Sequence, residues 1–182
     1  MNESVILTKD CEALQIPSGA PILLPKGAKV TITQALGGSY TIMTENGYML
    51  RVPPEQADAI GKSIPEIPKV DSAKKETSLE ELVWNQLRTC YDPEIPVNIV
   101  ELGLVYECKI TPSPEPDGGN KVEIKMTLTA PGCGMGESIR KEAEAKIARL
   151  PGIKQVNAEL VWEPPWDQNR MSEAAKLQLG IM

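Results

Sequence analysis

The sequence predicts an α+β protein with a small β-rich domain at residues 1–60 and an α-β-β-α-β sandwich domain at residues 78–163. Short β-branched runs separated by Gly and Pro turns fill the first part. In the second part, helical and strand periodicities follow one another as helix, hairpin, helix and strand. Two prolines and dense charge at residues 61–77 are typical of a linker, and residues 164–182 form a tail with a short helix.

The β-rich part is predicted from short runs of residues that favour strands. Asn46-Gly47 between two such runs indicates a two-residue hairpin turn, and a short helix is expected at residues 55–60. Cys11 belongs to no motif and is interpreted as a packing residue. The five predicted strands lie at residues 5–7, 22–24, 28–33, 40–43 and 48–52. They suit a small barrel or sandwich, and none of their residues indicates a chemical role.

The elements of the second part follow from local signals. Ser78 and Glu81 form a capping box that starts a helix, and Asp92-Pro93 ends this helix near Tyr91. A second helix is expected over residues 137–150, with one apolar face. The predicted strands lie at residues 104–110, 121–129 and 153–162.

The tail combines helix signals with large apolar side chains. Pro164-Pro165 ends the third strand, Ser172 is the expected N-cap of a short helix, and Gly180 closes that helix. The apolar side chains either pack on the parent domain or dock onto a partner or second subunit, and both alternatives stay open. They are Trp166, Met171, Leu177, Ile181 and Met182.

A Gly-flanked cysteine is the strongest chemical signal in the chain. Cys133 lies between Gly132 and Gly134, after a strand and a Pro-Gly turn and shortly before a helix. The unpaired amides of a helix start carry partial positive charge, which lowers the pKa of a nearby thiol. Cys133 is therefore the candidate reactive cysteine. The alternative is a small buried residue at a tight turn.

The composition excludes several thiol chemistries. The chain has no His, so a Cys-His nucleophile pair and a His-ligated zinc site are impossible. The other cysteines are widely spaced, which argues against a zinc ribbon, a dithiol pair or a four-Cys cluster site within one chain. Cys90 is expected on the apolar face of the first helix and Cys108 on a strand face. A lone thiolate can still hold a soft metal or a transient iron–sulfur cluster shared with another chain.

Net charge and hydropathy limit the classes of partner that the protein is expected to bind. The formal net charge is −6, which disfavours binding to nucleic-acid phosphates. No apolar run is long enough to span a membrane, and the N-terminal residues lack the pattern of an export signal. Unpaired cysteines in such a chain suit a reducing compartment, so we expect a cytoplasmic protein that binds neither nucleic acid nor membrane.

An acidic loop is the second candidate constellation. Asp92, Glu94 and Glu101 lie around a proline-rich segment that precedes the first strand of the second part. Their carboxylates either line the Cys133 pocket, accept backbone N–H bonds or remain solvated. In isolation the pattern favours the last two, because acidic residues are common in loops.

Together these segments resemble a known family. The Asp-Pro-Glu-x-Pro loop at Asp92, the Leu-Gly-Leu-Val-Tyr run ending at Tyr106 and the Cys133 turn resemble the metal–sulfur cluster biosynthesis family that includes SufT, PaaD and the MIP-type cytosolic iron–sulfur targeting factors. The resemblance covers roughly residues 78–182. The Pro-Pro-Trp tail is similar to that of SufT and PaaD, and the β-rich N-terminal extension is similar to that of SufT proteins.

The resemblance implies an iron–sulfur cluster assembly-like fold and a role in iron–sulfur protein maturation, by carrying clusters to apo-proteins or by targeting them. It implies that Cys133 is the reactive cysteine and candidate ligand of iron or a transient cluster, near Asp92, Glu94, Glu101 and Thr129. The implied partners are apo iron–sulfur proteins and cluster assembly proteins, with a homodimer also open. The alternatives are a thiol-dependent carrier enzyme with a covalent Cys133 intermediate and an adaptor in which Cys133 only packs. The absence of His weighs against the enzyme.

Overall fold

The computed structural model describes residues 2–64, 78–114, 116 and 118–181. Its elements confirm the mixed α+β class. The chain divides into two compact units. The first comprises residues 1–66, 93–96 and 133–137, and the second comprises residues 67–92, 97–132 and 138–182. Most of the predicted linker, residues 65–77, lies outside the described residues, so the position of the domain boundary stays a prediction.

The first unit contains one antiparallel sheet of six strands in the order β1-β4-β5-β6-β2-β3. A 3-10 helix at Pro54–Ile60 follows the last strand and begins with Pro54, whose fixed backbone angle suits a helix start. The strands are β1 (Glu3–Ile6), β2 (Cys11–Gln15), β3 (Pro21–Leu24), β4 (Lys29–Leu36), β5 (Ser39–Thr44) and β6 (Met49–Val52).

The expectation of five strands is wrong, because β2 was not predicted. The segment Cys11–Gln15 contains Glu, Ala, Leu and Gln, which favour helices over strands. Pairing with β3 on one side and β6 on the other makes it a strand despite these propensities. Cys11 is completely buried in the core of this sheet, as a packing residue would be.

Two glycine turns set the register of the central strands. Gly37 and Gly38 form a two-residue loop between β4 and β5, and both have positive φ. The turn at Asn46-Gly47 joins β5 to β6, as predicted, but it is not a two-residue turn. The amide of Gly47 donates to the Thr44 carbonyl, and Thr44 N–H donates to the Tyr48 carbonyl, which leaves three residues in the loop.

The second unit contains a three-stranded sheet in the order β7-β8-β9. β7 and β8 are antiparallel, whereas β8 and β9 are parallel and are connected through α2, as a parallel pair requires. The elements are α1 (Leu79–Leu87), β7 (Val105–Pro112), β8 (Asn120–Met126), α2 (Gly136–Ala148), β9 (Ile153–Leu160), a 3-10 turn (Gln168–Arg170) and α3 (Glu173–Leu179).

Two predicted elements are too long at their C-terminal ends. The capping box at Ser78 and Glu81 is present, but α1 ends at Leu87 and not near Tyr91. Cys90 therefore lies beyond the helix, although it is buried and its Sγ approaches the Gln86 carbonyl at 3.7 Å. β8 ends at Met126, which leaves Thr129 in the following loop.

One face of the three-stranded sheet is a ladder of alternating charges. Glu107 pairs with Lys109 on its own strand and with Lys125 across the ladder, and Lys121 pairs with Glu123. The two lysines hold the pKa of Glu107 below its usual range. Such a face is solvated, so the apolar residues of β8, including Val122 and Ile124, belong to the buried side of the sheet.

The tail forms the expected elements. Ser172 Oγ accepts from the Ala175 amide at 3.1 Å and caps α3, and Gly180 ends α3 in a left-handed conformation. Asp167 caps the preceding 3-10 turn through the Asn169 amide. In the described part of the chain, no helix has the length and apolar content needed to cross a membrane.

Candidate functional site

Cys133 lies in a loop that leaves the end of β8 and leads into α2. The Thr127 amide donates to the Leu104 carbonyl at 2.8 Å, which fixes the start of this loop beside β7. The Cys133 carbonyl accepts from the Gly136 amide at 3.1 Å, and Gly136 is the first residue of α2. Cys133 is a half-buried free cysteine three residues before the helix. The sequence placed it correctly at the approach to a helix.

The two glycines beside Cys133 have different structural reasons. Gly132 has a φ of 78°, a conformation that favours glycine, and a Cβ there would meet nothing. Gly134 has no positive φ, but within the first unit a Cβ on it would overlap the carbonyl oxygen of Ser18. Gly132 therefore makes the turn before the thiol, and Gly134 allows close backbone packing after it.

The other cysteines have surroundings that disfavour a thiolate. Burial raises the pKa of Cys108 from its ordinary 9.0 to about 11, and the charge of Glu80 adds to this shift. Burial also raises the pKa of Cys11. Cys90 is almost completely buried. Three of the four cysteines are thus poor candidates for a reactive group at neutral pH.

The acidic loop is a closed turn held by backbone hydrogen bonds. The Ile99 amide donates to the Cys90 carbonyl at 2.9 Å, and the Asp92 amide donates to the Val97 carbonyl at 3.3 Å. Pro93 follows Asp92 inside the turn and is buried. Asp92 is only 7% exposed, so it is not one of the solvated loop acids that composition favoured.

The remaining acidic candidates differ from Asp92 in exposure. Glu94 is exposed at the tip of the turn, and Glu101 is half-buried. The Glu101 amide donates to Asn98 Oδ1 at 2.9 Å, and its carbonyl accepts from the Ser172 amide at 2.9 Å. The Glu101 backbone is therefore fixed from both sides.

The predicted site residues are distributed over both units. Cys133, Gly134 and Glu94 belong to the first unit, whereas Asp92 and Glu101 belong to the second, together with Thr129 and Gly132. Among the described residues, no three His, Cys, Asp or Glu side chains form a group that could hold a metal ion. The grouping of the acidic residues around Cys133 stays a prediction.

Contacts between the tail and residues 101–106 were not predicted. Trp166 Nε1 donates to the Leu102 carbonyl at 2.8 Å, and Tyr106 Oη donates to the Pro164 carbonyl at 2.8 Å. The Arg170 guanidinium lies 4.5 Å from the centre of the Tyr106 ring. The sequence did offer one indication of these contacts, namely Trp166, because the N–H of a buried indole requires an acceptor.

Comparisons with known proteins identify the family. A family model described as "Iron-sulfur cluster assembly protein" matches residues 80–160. A protein of Porphyromonas gingivalis named "Fe-S protein maturation auxiliary factor" is 42% identical over 103 residues, which is 57% of this chain and 92% of that protein. This chain belongs to the iron–sulfur cluster assembly protein family. The resemblance seen in the sequence is thereby confirmed.

Two further proteins are similar to about half of the chain. A Staphylococcus aureus protein named "Fe-S protein maturation auxiliary factor SufT" is 38% identical over 90 residues, covering 50% of this chain and 96% of that protein. A crystal structure of a domain of unknown function from Bacillus anthracis is 35% identical, with a TM-score of 0.49, and covers 57% of this chain and 93% of that one. About half of this chain thus corresponds to nearly whole family members.

Proposed function

We propose that this protein is an iron–sulfur cluster maturation factor that carries clusters to apo-proteins or targets them, using Cys133 as a transient ligand. The observation that carries the proposal is the 42% identity to a relative named as an iron–sulfur protein maturation auxiliary factor, over 92% of that relative. The cluster or iron is cargo in this proposal. It is not a permanent part of the protein.

The chemistry of the four cysteines favours Cys133 as the ligand. Thiolates are the usual ligands of iron–sulfur clusters, and a thiol must lose its proton to bind iron. Burial keeps Cys11 and Cys108 protonated at neutral pH, and Cys90 is inaccessible. Cys133 is partly accessible in a loop with glycines on both sides. Cys133 is thus a partly accessible thiol, whereas a raised pKa keeps the equally half-buried Cys108 protonated.

One thiolate is too few for a complete cluster shell. Clusters are commonly held by four cysteines, and carboxylate oxygens are hard ligands that bind cluster iron less well. A second copy of this chain would add one thiolate, and a partner in the assembly pathway would supply the others. We therefore propose that any stable cluster bridges two chains, and that the resulting species is a homodimer or a complex with a client.

The acidic residues have a secondary role in this proposal. We propose, as the family resemblance implies, that Asp92 and Glu101 act as positioning groups that tune the surroundings of the thiolate. Glu94 is exposed and suits contact with a partner. With no His in the chain, no imidazole is present to move a proton, and we propose that the protein is not an enzyme. The proposed compartment is the cytoplasm, where thiols stay reduced.

The test is anaerobic reconstitution with ferrous iron and sulfide. The wild type should develop the visible absorption of a cluster and shift toward dimer on a sizing column. Cys133→Ser should do neither. Cys108→Ser is the matched control and should behave as the wild type, because Cys108 is protonated and half-buried.

Two outcomes would contradict the proposal. Cluster absorption that survives Cys133→Ser would remove Cys133 as the ligand. A covalent adduct on Cys133 after incubation with an acyl or persulfide donor, without cluster formation, would support the thiol-dependent carrier enzyme instead. Mass spectrometry of the intact protein distinguishes that adduct from bound iron.

A further inference from the structure

A cleft in the second unit lies between the end of the acidic loop and the tail. It has a volume of about 460 Å³ and is lined by Gly103, Val105, Tyr106, Pro164 and Arg170. All five residues belong to the second unit. Polar and apolar atoms contribute about equally to the walls, and Arg170 is the one charged residue in the lining. None of the lining residues belongs to the loop that carries Cys133.

The Arg170 guanidinium has no anionic partner in the described part of the chain. Its contact is the Tyr106 ring, at 4.5 Å from the ring centre. Asp167 and Glu173 are three residues away on either side, but neither forms an ion pair with it. Asp167 instead accepts from the Asn169 amide.

Four features hold the chain segments around Arg170 in place. The φ of Gly103 is +69°, and a Cβ on it would overlap the Arg170 backbone, so the two chain segments are as close as glycine permits. Tyr106 Oη is bonded to the Pro164 carbonyl, which fixes the ring under the guanidinium. Trp166 ties the tail to Leu102, and Asp167 caps the turn that ends at Arg170. Stacking on the fixed Tyr106 ring restricts the guanidinium, which reduces the side-chain freedom lost when a ligand binds.

We propose that this cleft is a carboxylate-binding site. A planar guanidinium donates two parallel N–H bonds to a carboxylate, and stacking on an aromatic ring leaves its edge free for them. One positive charge matches a monoanion. A phosphate dianion would need a second cation, which the cleft lacks, and the net charge of −6 would repel it more strongly. Val105 and Pro164 in the lining offer apolar contacts for the methylene groups next to the carboxylate.

The ligand is a glutamate or aspartate side chain on a partner protein. This assignment rests on the proposed function, because a maturation factor must recognise protein clients or assembly proteins. The cleft therefore recognises an acidic residue on the partner, at a surface that does not include Cys133. Binding in the cleft would add affinity without changing the cluster chemistry.

The experiment is NMR titration of the full-length, ¹⁵N-labelled protein. The probes are sodium acetate, sodium phosphate and a pair of blocked amino acids, N-acetyl-glutamate N-methylamide and its glutamine counterpart, all at constant ionic strength with chloride. The signals are the Arg170 side-chain Nε–H and the amides of Gly103 and Val105. Arg88 is the internal control, because it is exposed and its guanidinium contacts Asn85 at 3.3 Å.

The proposal expects saturable shifts with acetate and with the glutamate compound, and no saturation with the glutamine compound. Arg170→Lys should weaken binding by about tenfold, since lysine keeps the charge but loses the bidentate fork. Arg170→Gln should abolish the shifts at Gly103 and Val105. Arg170 is exposed, so these variants should remain folded.

Other results would overturn the proposal that the cleft binds a carboxylate. Arg170 shifts no larger than those of Arg88, or shifts that persist in Arg170→Gln, would show that the cleft binds no carboxylate. Tighter binding of phosphate would refute the choice of ligand, and saturation by acetate without the glutamate compound would refute the side-chain source. Cluster loading of Arg170→Gln is measured separately. A failed titration with normal loading leaves the proposed function standing, whereas wild-type loading in Cys133→Ser refutes that function and not the cleft.

Discussion

Lys146 and Glu142 form an ion pair of 2.8 Å on α2, with side chains that are only 11% and 9% exposed. Lys146 Nζ also donates to the Thr89 carbonyl at 2.7 Å. The pair therefore joins α2 to the segment that follows α1, within the second unit. A buried ion pair of this kind is costly to break, because the partner that remains has lost its compensating charge.

We expect Lys146→Ala to reduce the free energy of unfolding by about 3–5 kcal/mol. The measurement is urea denaturation followed by circular dichroism. The matched control is Lys109→Ala on β7, which breaks a pair of the same length whose side chains are 63% and 34% exposed. That control should cost far less, because water screens an exposed pair. If both variants lose the same free energy of unfolding, burial of the α2 pair does not contribute to stability.

Gly103→Ala should disrupt the packing of the tail at Arg170 against the segment that contains Gly103. The new Cβ would overlap the Arg170 backbone, and alanine is also strained at the φ of +69°. Gly118→Ala is the matched control, because its φ is +70° and a Cβ there meets nothing within 4 Å. Backbone strain alone costs of order 1–3 kcal/mol. We expect Gly103→Ala to exceed Gly118→Ala by about 2 kcal/mol, the cost of lost buried contacts. An equal loss of unfolding free energy in both variants would mean that backbone strain explains the whole effect and that the overlap with Arg170 adds nothing.

Thiol alkylation should identify Cys133 as the fast-reacting cysteine. At pH 7.5 the raised pKa values of Cys11 and Cys108 keep both thiols protonated, and burial hides Cys90. Iodoacetamide labelling of the native protein, followed by peptide mass spectrometry, gives the rate for each cysteine. Cys108 should become reactive only as the pH approaches 11. Faster labelling of Cys108 or Cys11 than of Cys133 at pH 7.5 would refute the site assignment.

Cys108 should also make the stability depend on alkaline pH. Its pKa is raised in the folded state, so the unfolded chain loses the thiol proton first as the pH rises. The stabilisation from this group is fully present below about pH 9 and is lost as the pH rises through about 11. The difference in melting temperature between the wild type and Cys108→Val, measured from pH 7 to 11, isolates this effect. A constant difference over that range would contradict it.

Local signals predicted much of this fold, and long-range contacts account for what they missed. The capping residues Ser78 and Ser172 act within a few residues of their own position, so the sequence alone was enough to find them. β2 depends on its pairing with β3 and β6, which local propensity does not reveal. For the same reason, the contact of Trp166 with Leu102 could not be predicted, because 64 residues separate its two ends.

At the candidate site, too, local features could be predicted from the sequence, whereas features that depend on long-range contacts could not. The glycines beside Cys133 and the approach to α2 were readable from the sequence. The burial of Asp92 was not, because composition favours a solvated acid in a loop, whereas a turn closed by the Val97 carbonyl encloses this one. The raised pKa of Cys108 likewise depends on packing in the folded unit.

The tail combines contacts with the second unit and an exposed apolar face. Met171 and Ala175 are buried, and Trp166 donates its hydrogen bond to the Leu102 carbonyl. Leu177 is 61% exposed and Ile181 is also exposed. The alternatives of packing and docking therefore apply to different residues of the same segment, with packing at Trp166 to Ala175 and a free face beyond them.

Deletion of residues 167–182 should consequently lower the melting temperature and promote aggregation, because it removes the buried Met171 and Ala175. Met171→Ala should reproduce part of this loss, at about 2–4 kcal/mol in urea denaturation. Leu177→Ser is the matched control from the exposed face and should change the free energy of unfolding by less than about 0.5 kcal/mol. If Leu177→Ser destabilises the protein as much as Met171→Ala, the exposed face is buried in solution against another chain. Sedimentation of the wild type over a range of concentrations would then show a dimer that Leu177→Ser abolishes, whereas a monomer in both proteins agrees with packing alone.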